Sequence, residues 1–279
     1  MQKIIDFILY YTRYFYLLIL NGFKVKTALF YPRKPSHKAV ASKIIRNLNY
    51  NISTNPNSKF QLAINWVDAT FREKDDILQT LTSAQKVLNS ECLDISKNYI
   101  GKIFQEVFGY PLLLDPFTHT GKCVKKNNLN ASKVDTEIVQ CPVEKTEDGY
   151  VYLKLINAQL NDDIVIDYRI SVIGNSIPIL YLKKKPLKHR FLNDAVEITM
   201  HSPDEFLSKE ELDKTLQLCN KIGLDYGELD ILRDNDDGKI YIIDANNTPW
   251  GPPADLTKQD NKKALEILTA AFEKEYLSN

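Results

Sequence analysis

Glu228-Leu229-Asp230-Ile231-Leu232-Arg233 and Ile240-Tyr241-Ile242-Ile243-Asp244-Ala245-Asn246 decide the reading, joined through Asn235-Asp236-Asp237-Gly238. The apolar runs Leu229–Leu232 and Ile240–Ile243 have the composition of strands, and the segment between them that of a hairpin turn. A hairpin centred near Asp237 sets Asp230 opposite Asp244 and Glu228 opposite Asn246. Period-two alternation then puts these four side chains on one face, with Leu229 and Ile231 on the other. Carboxylates facing each other across strands repel. A divalent cation relieves that repulsion, and Mg²⁺ takes hard oxygen ligands, one or two carboxylates plus phosphates and water. The plainer alternative is a solvent-exposed hairpin with ordinary surface acids, because a one-residue slip in register scatters the cluster.

Around this hairpin the chain of 279 residues, 44% hydrophobic and 26% charged, is long enough to bury a core as two or three lobes. Lysine plus arginine equals aspartate plus glutamate, 36 each, so no global field draws it to nucleic acid. Cys92, Cys123, Cys141 and Cys219 show neither metal-ligand spacing nor a disulfide framework, and read as reduced thiols of a cytoplasmic protein. Ile4–Leu20 is apolar and aromatic, but it contains Asp6 and Arg13 and lacks a cleavage site. It reads as a buried amphipathic helix, with a peripheral membrane or partner surface as the alternative and no integral membrane segment. His37, His119, His189 and His201 are dispersed, and P-loop, GxSxG and GxGxxG motifs are absent.

Residues 1 to about 58 read as helices broken near Asn21-Gly22 and Tyr31-Pro32, followed by a polar loop from Asn51 to Ser58. Phe60–Val67 reads as a strand whose Trp66 packs in the core, while Asp68 is a candidate to line a cleft. Asp75–Leu88 and Ser96–Phe108 have helical periodicity, the second stopping at Gly109-Tyr110-Pro111. Short strands follow at Thr136–Gln140, Val151–Ile156, Ile164–Ile173 and Ile177–Leu182, then a helix over Ser208–Ile222.

Asp230-Ile231-Leu232-Arg233 followed by Asp244-Ala245-Asn246-Asn247-Thr248-Pro249 resembles the two metal-bearing strands of the ATP-grasp superfamily, in its glutamate-ligase-like, carboxylate-amine ligase branch. Asp244 stands where that family usually has Glu. The resemblance covers roughly the last 190 residues and implies an α+β fold in which two α+β lobes clamp ATP. Residues 1–90 would form a divergent, helix-rich N-terminal lobe on the substrate side, 91–156 the small central lobe and 157–279 the catalytic lobe. It implies Mg²⁺ on Asp230, Asp244 and Asn246; Glu228 joins them as a metal candidate through its place on the same hairpin face.

Asp167-Tyr168-Arg169 through Gly174 is similar to a family strand whose Arg faces substrate or phosphate, and Arg190-Phe191-Leu192-Asn193 is similar to a loop of the same branch. Arg169 and Arg190 are thereby candidates to balance charge, and Asn193 to bind nucleotide. Lys183-Lys184-Lys185 reads as a solvated charge run or as the basic strand end. The resemblance gives Lys97 and Lys125 as nucleotide lysines, with Lys122 and Lys126 as competitors for the second. It gives Lys154, Leu155 and Ile156 as the adenine connector. The family's phosphate-covering loop is rich in glycine, whereas Lys126–Glu147 has none, leaving Asn127, Asn128, Asn130 and Ser132 as donors.

The implied activity is ATP-dependent ligation, in which a carboxylate is activated as an acyl phosphate and captured by an amine or similar nucleophile. A small-molecule kinase on the same fold and a non-catalytic nucleotide-binding relative are the alternatives. Small-molecule or peptide substrates are expected, a homodimer is admitted, and the acceptor is left open.

Overall fold

Parallel strands buried on both faces read as unbroken apolar runs, and Thr27-Ala28-Leu29-Phe30 is such a run, wholly buried. In the computed structural model, which describes residues 2–130, 136–192 and 194–278, it forms β1 (Thr27–Pro32). β1 lies in a parallel sheet with β2 (Asn51–Ser53), β3 (Leu62–Trp66) and β4 (Val87–Leu88), in the order β2-β1-β3-β4. The expectation of helices across residues 1–58 is thus corrected at β1 and at the loop that holds β2. The helices there are α1 (Gln2–Leu20) and α2 (Val40–Asn47). Asp75–Leu88 likewise divides into α3 (Asp76–Ala84), capped by Asp75, and β4, which forms because Val87 and Leu88 pair with Ala63 and Ile64 of β3.

Ser96 caps α4 (Lys97–Phe108), and Gly109 closes it with a left-handed φ of 84°. Three antiparallel strands follow, β5 (Gly121–Asn127), β6 (Glu137–Cys141) and β7 (Tyr150–Lys154), in the order β6-β5-β7. Cys123 and Cys141 place their sulfurs 2.9 Å apart here, and all four cysteines are free and buried. The third sheet contains β8 (Ile164–Ile173), β9 (Ser176–Pro186), β10 (Glu197–His201), β11 (Tyr226–Arg233) and β12 (Ile240–Asn246), in the order β10-β9-β8-β11-β12 and antiparallel throughout. α5 (Lys209–Ile222) precedes β11, and α6 (Lys258–Tyr276) ends the fold.

The five-stranded sheet has two unlike faces. Tyr168, Ile170, Val172, Leu180, Leu229 and Ile231 point into the core beneath α4 and α5. On the other face Ile173, Ile179, Tyr181 and Tyr226 join a second core with α2, α6 and the parallel sheet. Further along that face the apolar residues give way to charged ones, and there the cleft opens. α4 packs against α5 and β12. α1 is a helix as expected, but the expected burial holds at Leu17, while Phe15, Tyr16, Ile19 and Leu20 are exposed. Among the described residues no helix is long and apolar enough to cross a membrane.

Candidate active site

The hairpin register is Asp230 opposite Asp244 and Glu228 opposite Asn246. It is reached by an irregularity. Nearer the turn Ile231 pairs with Ile242, so Ile243 is the extra residue of a bulge, and without it Asp230 would face Ile243. On its other side Asp230 pairs with Arg169, and Glu228 with Ser171. Asp244, Asp230 and Arg169 therefore stand in consecutive strands of one row, on the floor of a cleft of about 1350 Å³.

Charge in this row is tightly paired. Arg169 holds Asp230 with both ends of its fork, Nε to Oδ1 at 2.7 Å and Nη2 to Oδ2 at 2.8 Å. Lys183 Nζ adds a third contact at 3.3 Å. Burial alone would push the Asp230 carboxyl up, but Arg169 and Lys183 outweigh it and hold the group far below the usual carboxylate range. Glu228 lies deeper. It is 3% exposed, receives Ser171 Oγ at 3.4 Å, and burial pushes its carboxyl up to about 7. It does not line the cleft.

The lysines divide by strand periodicity. Lys183 and Lys185 are buried and face the cleft, whereas Lys184 turns outward to Glu197, so the solvated reading fits the middle residue alone. Lys185 pairs with Asp167. Lys183 escaped the sequence reading as a site residue, although its place opposite Asp167 in a strand that also carries Arg169 was the available signal.

At the first turn of α4, Lys97 Nζ donates to Leu129 O at 2.8 Å and Asn130 Oδ1 at 3.2 Å, with Asp244 Oδ1 at 3.6 Å. Burial lowers its pKa against the pull of Asp244. Asn128 to Asn130, at the start of the glycine-free segment, are seated on this helix end. Asn128 Oδ1 accepts from the Asn98 amide at 2.9 Å, and Asn130 Nδ2 donates to Ala245 O at 2.6 Å. Ser132 and Asn193 lie outside the described residues.

Lys125 lines the cleft but is engaged by Glu147 and Glu137, whose hydrogen bonds raise its pKa. Lys154 is fastened to the β11–β12 turn through Asp234 and Asp237, each at 2.7 Å, and Tyr241 at 2.8 Å. Leu155 packs on the large core, while Ile156 lines the cleft and its carbonyl accepts from Arg190 Nη2 at 2.6 Å. Val124, Leu153, Ile156, Leu232 and Ile243 supply apolar walls between the two antiparallel sheets. Trp66 is buried edge-on against Phe30, and Asp68 lines the cleft while accepting from Thr248 Oγ1 at 3.1 Å.

Among the described residues no group of three or more His, Cys, Asp or Glu side chains converges to hold a metal alone. Mg²⁺ can also be held in a shared mode, in which protein supplies one or two carboxylates and the rest is phosphate and water. Two observations fit it. Asp244 Oδ1 is buried with no hydrogen-bond partner, and Asp230 spends three of its roughly four lone-pair positions on Arg169 and Lys183.

The chain has the ATP-grasp fold. Among solved structures it is similar to the ATP-grasp ligase PsnB complexed with minimal precursor, at 13% identity and a TM-score of 0.56 over 90% of this chain and 100% of that one. It is similar to D-alanine–D-alanine ligase from Bacillus anthracis, at 14% identity and 0.53 over 91% and 97%. It also resembles the macrocyclase MdnC bound with precursor peptide MdnA from Microcystis aeruginosa MRC, at 12% identity and 0.51 over 91% and 100%. No family model and no curated protein matches the sequence.

Proposed function

We propose that the chain is a Mg²⁺-ATP-dependent ligase that activates a carboxylate as an acyl phosphate for capture by an amine or similar nucleophile. The observation that carries this reading is the row Asp244, Asp230, Arg169 on the floor of a cleft, with Lys97 and Lys183 converging on its two carboxylates. It is supported by the fold shared with ligases, one of them PsnB complexed with Mg and ADP.

Bound Mg²⁺-ATP supplies the transferable phosphoryl group. Asp244, through an Oδ1 that accepts no hydrogen bond and has Lys97 Nζ 3.6 Å away, and Asn246 are the residues proposed to hold the cation, with the remaining lone pair of Asp230 beside them. Arg169 and Lys183 keep Asp230 ionised, so the site meets a cation already charged and oriented. Lys97 places positive charge where phosphate oxygens would gather, and the apolar walls would exclude water around a bound base. Arg190, held on the Ile156 carbonyl, orients the connector between the lobes. Catalysis of this kind is positioning and charge balance, with little covalent work for the protein.

A second reading, a non-catalytic nucleotide-binding relative, is favoured by the internal engagement of Lys125 by two glutamates and of Lys154 by two aspartates. Calorimetric titration of ATP with and without Mg²⁺ tests both, and product mass separates ligation from simple phosphoryl transfer. Asp244→Ala and Asn246→Ala are expected to lower kcat by at least ~100-fold with an unchanged circular dichroism melt. Near-wild-type turnover in either variant removes the metal assignment; Mg²⁺-dependent binding without any turnover favours the second reading.

A further inference from the structure

Charge is unevenly spread along this neutral chain. Residues 1–67 hold ten lysines and arginines and one acid, Asp6, although the whole carries 36 of each sign. The parallel order of β2, β1 and β3 brings the starts of these strands to one end of the sheet. Lys24 and Lys26 precede β1 there, and Lys59 precedes β3, with the Asn51 amide on Lys26 O at 2.8 Å and the Gln61 amide on Thr27 O at 3.0 Å. α2 runs back from the far end of β1 and delivers Arg46 in its last turn to the same place. All four cations are exposed, and none is paired with a carboxylate among the described residues.

α1 is fastened across this end. Arg13 Nη2 donates to Tyr50 O at 3.5 Å, Asn21 Nδ2 to Asn49 O at 3.1 Å, and Leu17 is fully buried. Its outward side is the reverse of a solvated helix. Phe15 is 58% exposed, Tyr16 59%, Ile19 71% and Leu20 49%, and Phe23 just beyond the helix is 76% exposed. Phe15 and Ile19, and Tyr16 and Leu20, are four residues apart and form one stripe. Single exposed apolar side chains need no explanation, whereas a contiguous set marks an interaction surface. The cleft lies at the opposite end of the parallel sheet, where β3 leads into Asp68 and Thr70.

We propose that this end of the N-terminal lobe docks on an anionic lipid surface, with α1 lying in the headgroup plane. Large aromatic and aliphatic side chains enter the acyl boundary, and Lys24, Lys26, Arg46 and Lys59 meet lipid phosphates. A nucleic acid would satisfy the cations and leave the apolar stripe in water. Docked in this way, the protein keeps its cleft facing the solvent.

Sedimentation of the full chain with phosphatidylcholine vesicles containing about 30 mol% phosphatidylserine tests this. Binding to these vesicles, but not to pure phosphatidylcholine, is expected. It should fall roughly tenfold or more in Phe15→Glu/Ile19→Glu and separately in Lys24→Glu/Lys26→Glu, and it should weaken in high salt. The milder Phe15→Ser and Lys24→Gln serve if either double variant melts early. Failure of the wild type to sediment with anionic vesicles overturns the proposal, as does binding unaltered by both pairs of substitutions. A dimer in sedimentation equilibrium that Phe15→Ser dissociates, without vesicle binding, assigns the stripe to a second copy and also overturns it. ATP titration is a separate readout that these substitutions leave unchanged.

Discussion

Arg169 is the residue on which the charged half-face depends. Its guanidinium closes a bidentate pair with Asp230 and sits 3.8 Å from Glu228 Oε2, which has no hydrogen-bond partner. Removing one member of a partly buried pair leaves the other undercompensated, so Arg169→Ala is expected to cost about 2 kcal/mol in urea denaturation. Adding Asp230→Asn should recover part of that loss, a coupling that a double-mutant cycle reads directly. Arg169 and Asp230 were both legible as site candidates from their resemblance to family strands. Their mutual pairing was not. The two residues are 61 apart in the chain, and only β8 lying beside β11 brings them together.

Among the elements, the hairpin was the most legible. Two apolar runs and an Asp-Asp-Gly turn define it locally, and the pairing of Asp230 with Asp244 follows from a symmetric count about Asp237. The route differs, because the turn register is offset by one and the bulge at Ile243 restores it. Gly227 completes the arrangement, for a Cβ there would stand 2.5 Å from the Asn246 carbonyl and force β12 away. α5 was equally legible as a helix from Ser208 to Ile222, and Ser208 and Glu211 form a reciprocal cap at its start. Glu211 also holds Arg233 through two contacts of 2.9 Å. Burial would raise its carboxyl, but Arg233 and the Ser208 amide outweigh this and leave it lowered. A lowered folded-state value stabilises above the ordinary glutamate pKa, and the gain disappears as pH falls through the lowered value. Glu211→Gln is therefore expected to cost about 1 kcal/mol at neutral pH and nothing in strong acid, measured by thermal melts across that range.

At the scale of the whole molecule, Asn89 joins the parallel sheet to the five-stranded one. It is fully buried with a left-handed φ of 58°, and it exchanges hydrogen bonds of 2.7 and 2.9 Å with the Tyr226 backbone while its own amide reaches Asp225 at 2.8 Å. Asn89→Ala is expected to cost about 2 kcal/mol and to loosen the two sheets together, seen as faster amide exchange in both β4 and β11. No local signal marks this residue, since its partners lie 136 and 137 positions away. The sequence by itself determined the elements whose signals are short in range: the capped helices, the hairpin and its acidic pair, and the family resemblance they carry. Tertiary structure decided which face of each strand is polar. Lys183 and Lys185 resemble a solvated run until β8 and β11 set Asp167 and Asp230 beside them, because a charge becomes tolerable in the interior only when its partner arrives. It also decided that β1 is a strand and that α1 keeps an apolar side outward, since burial depends on neighbours that a single stretch of chain does not contain.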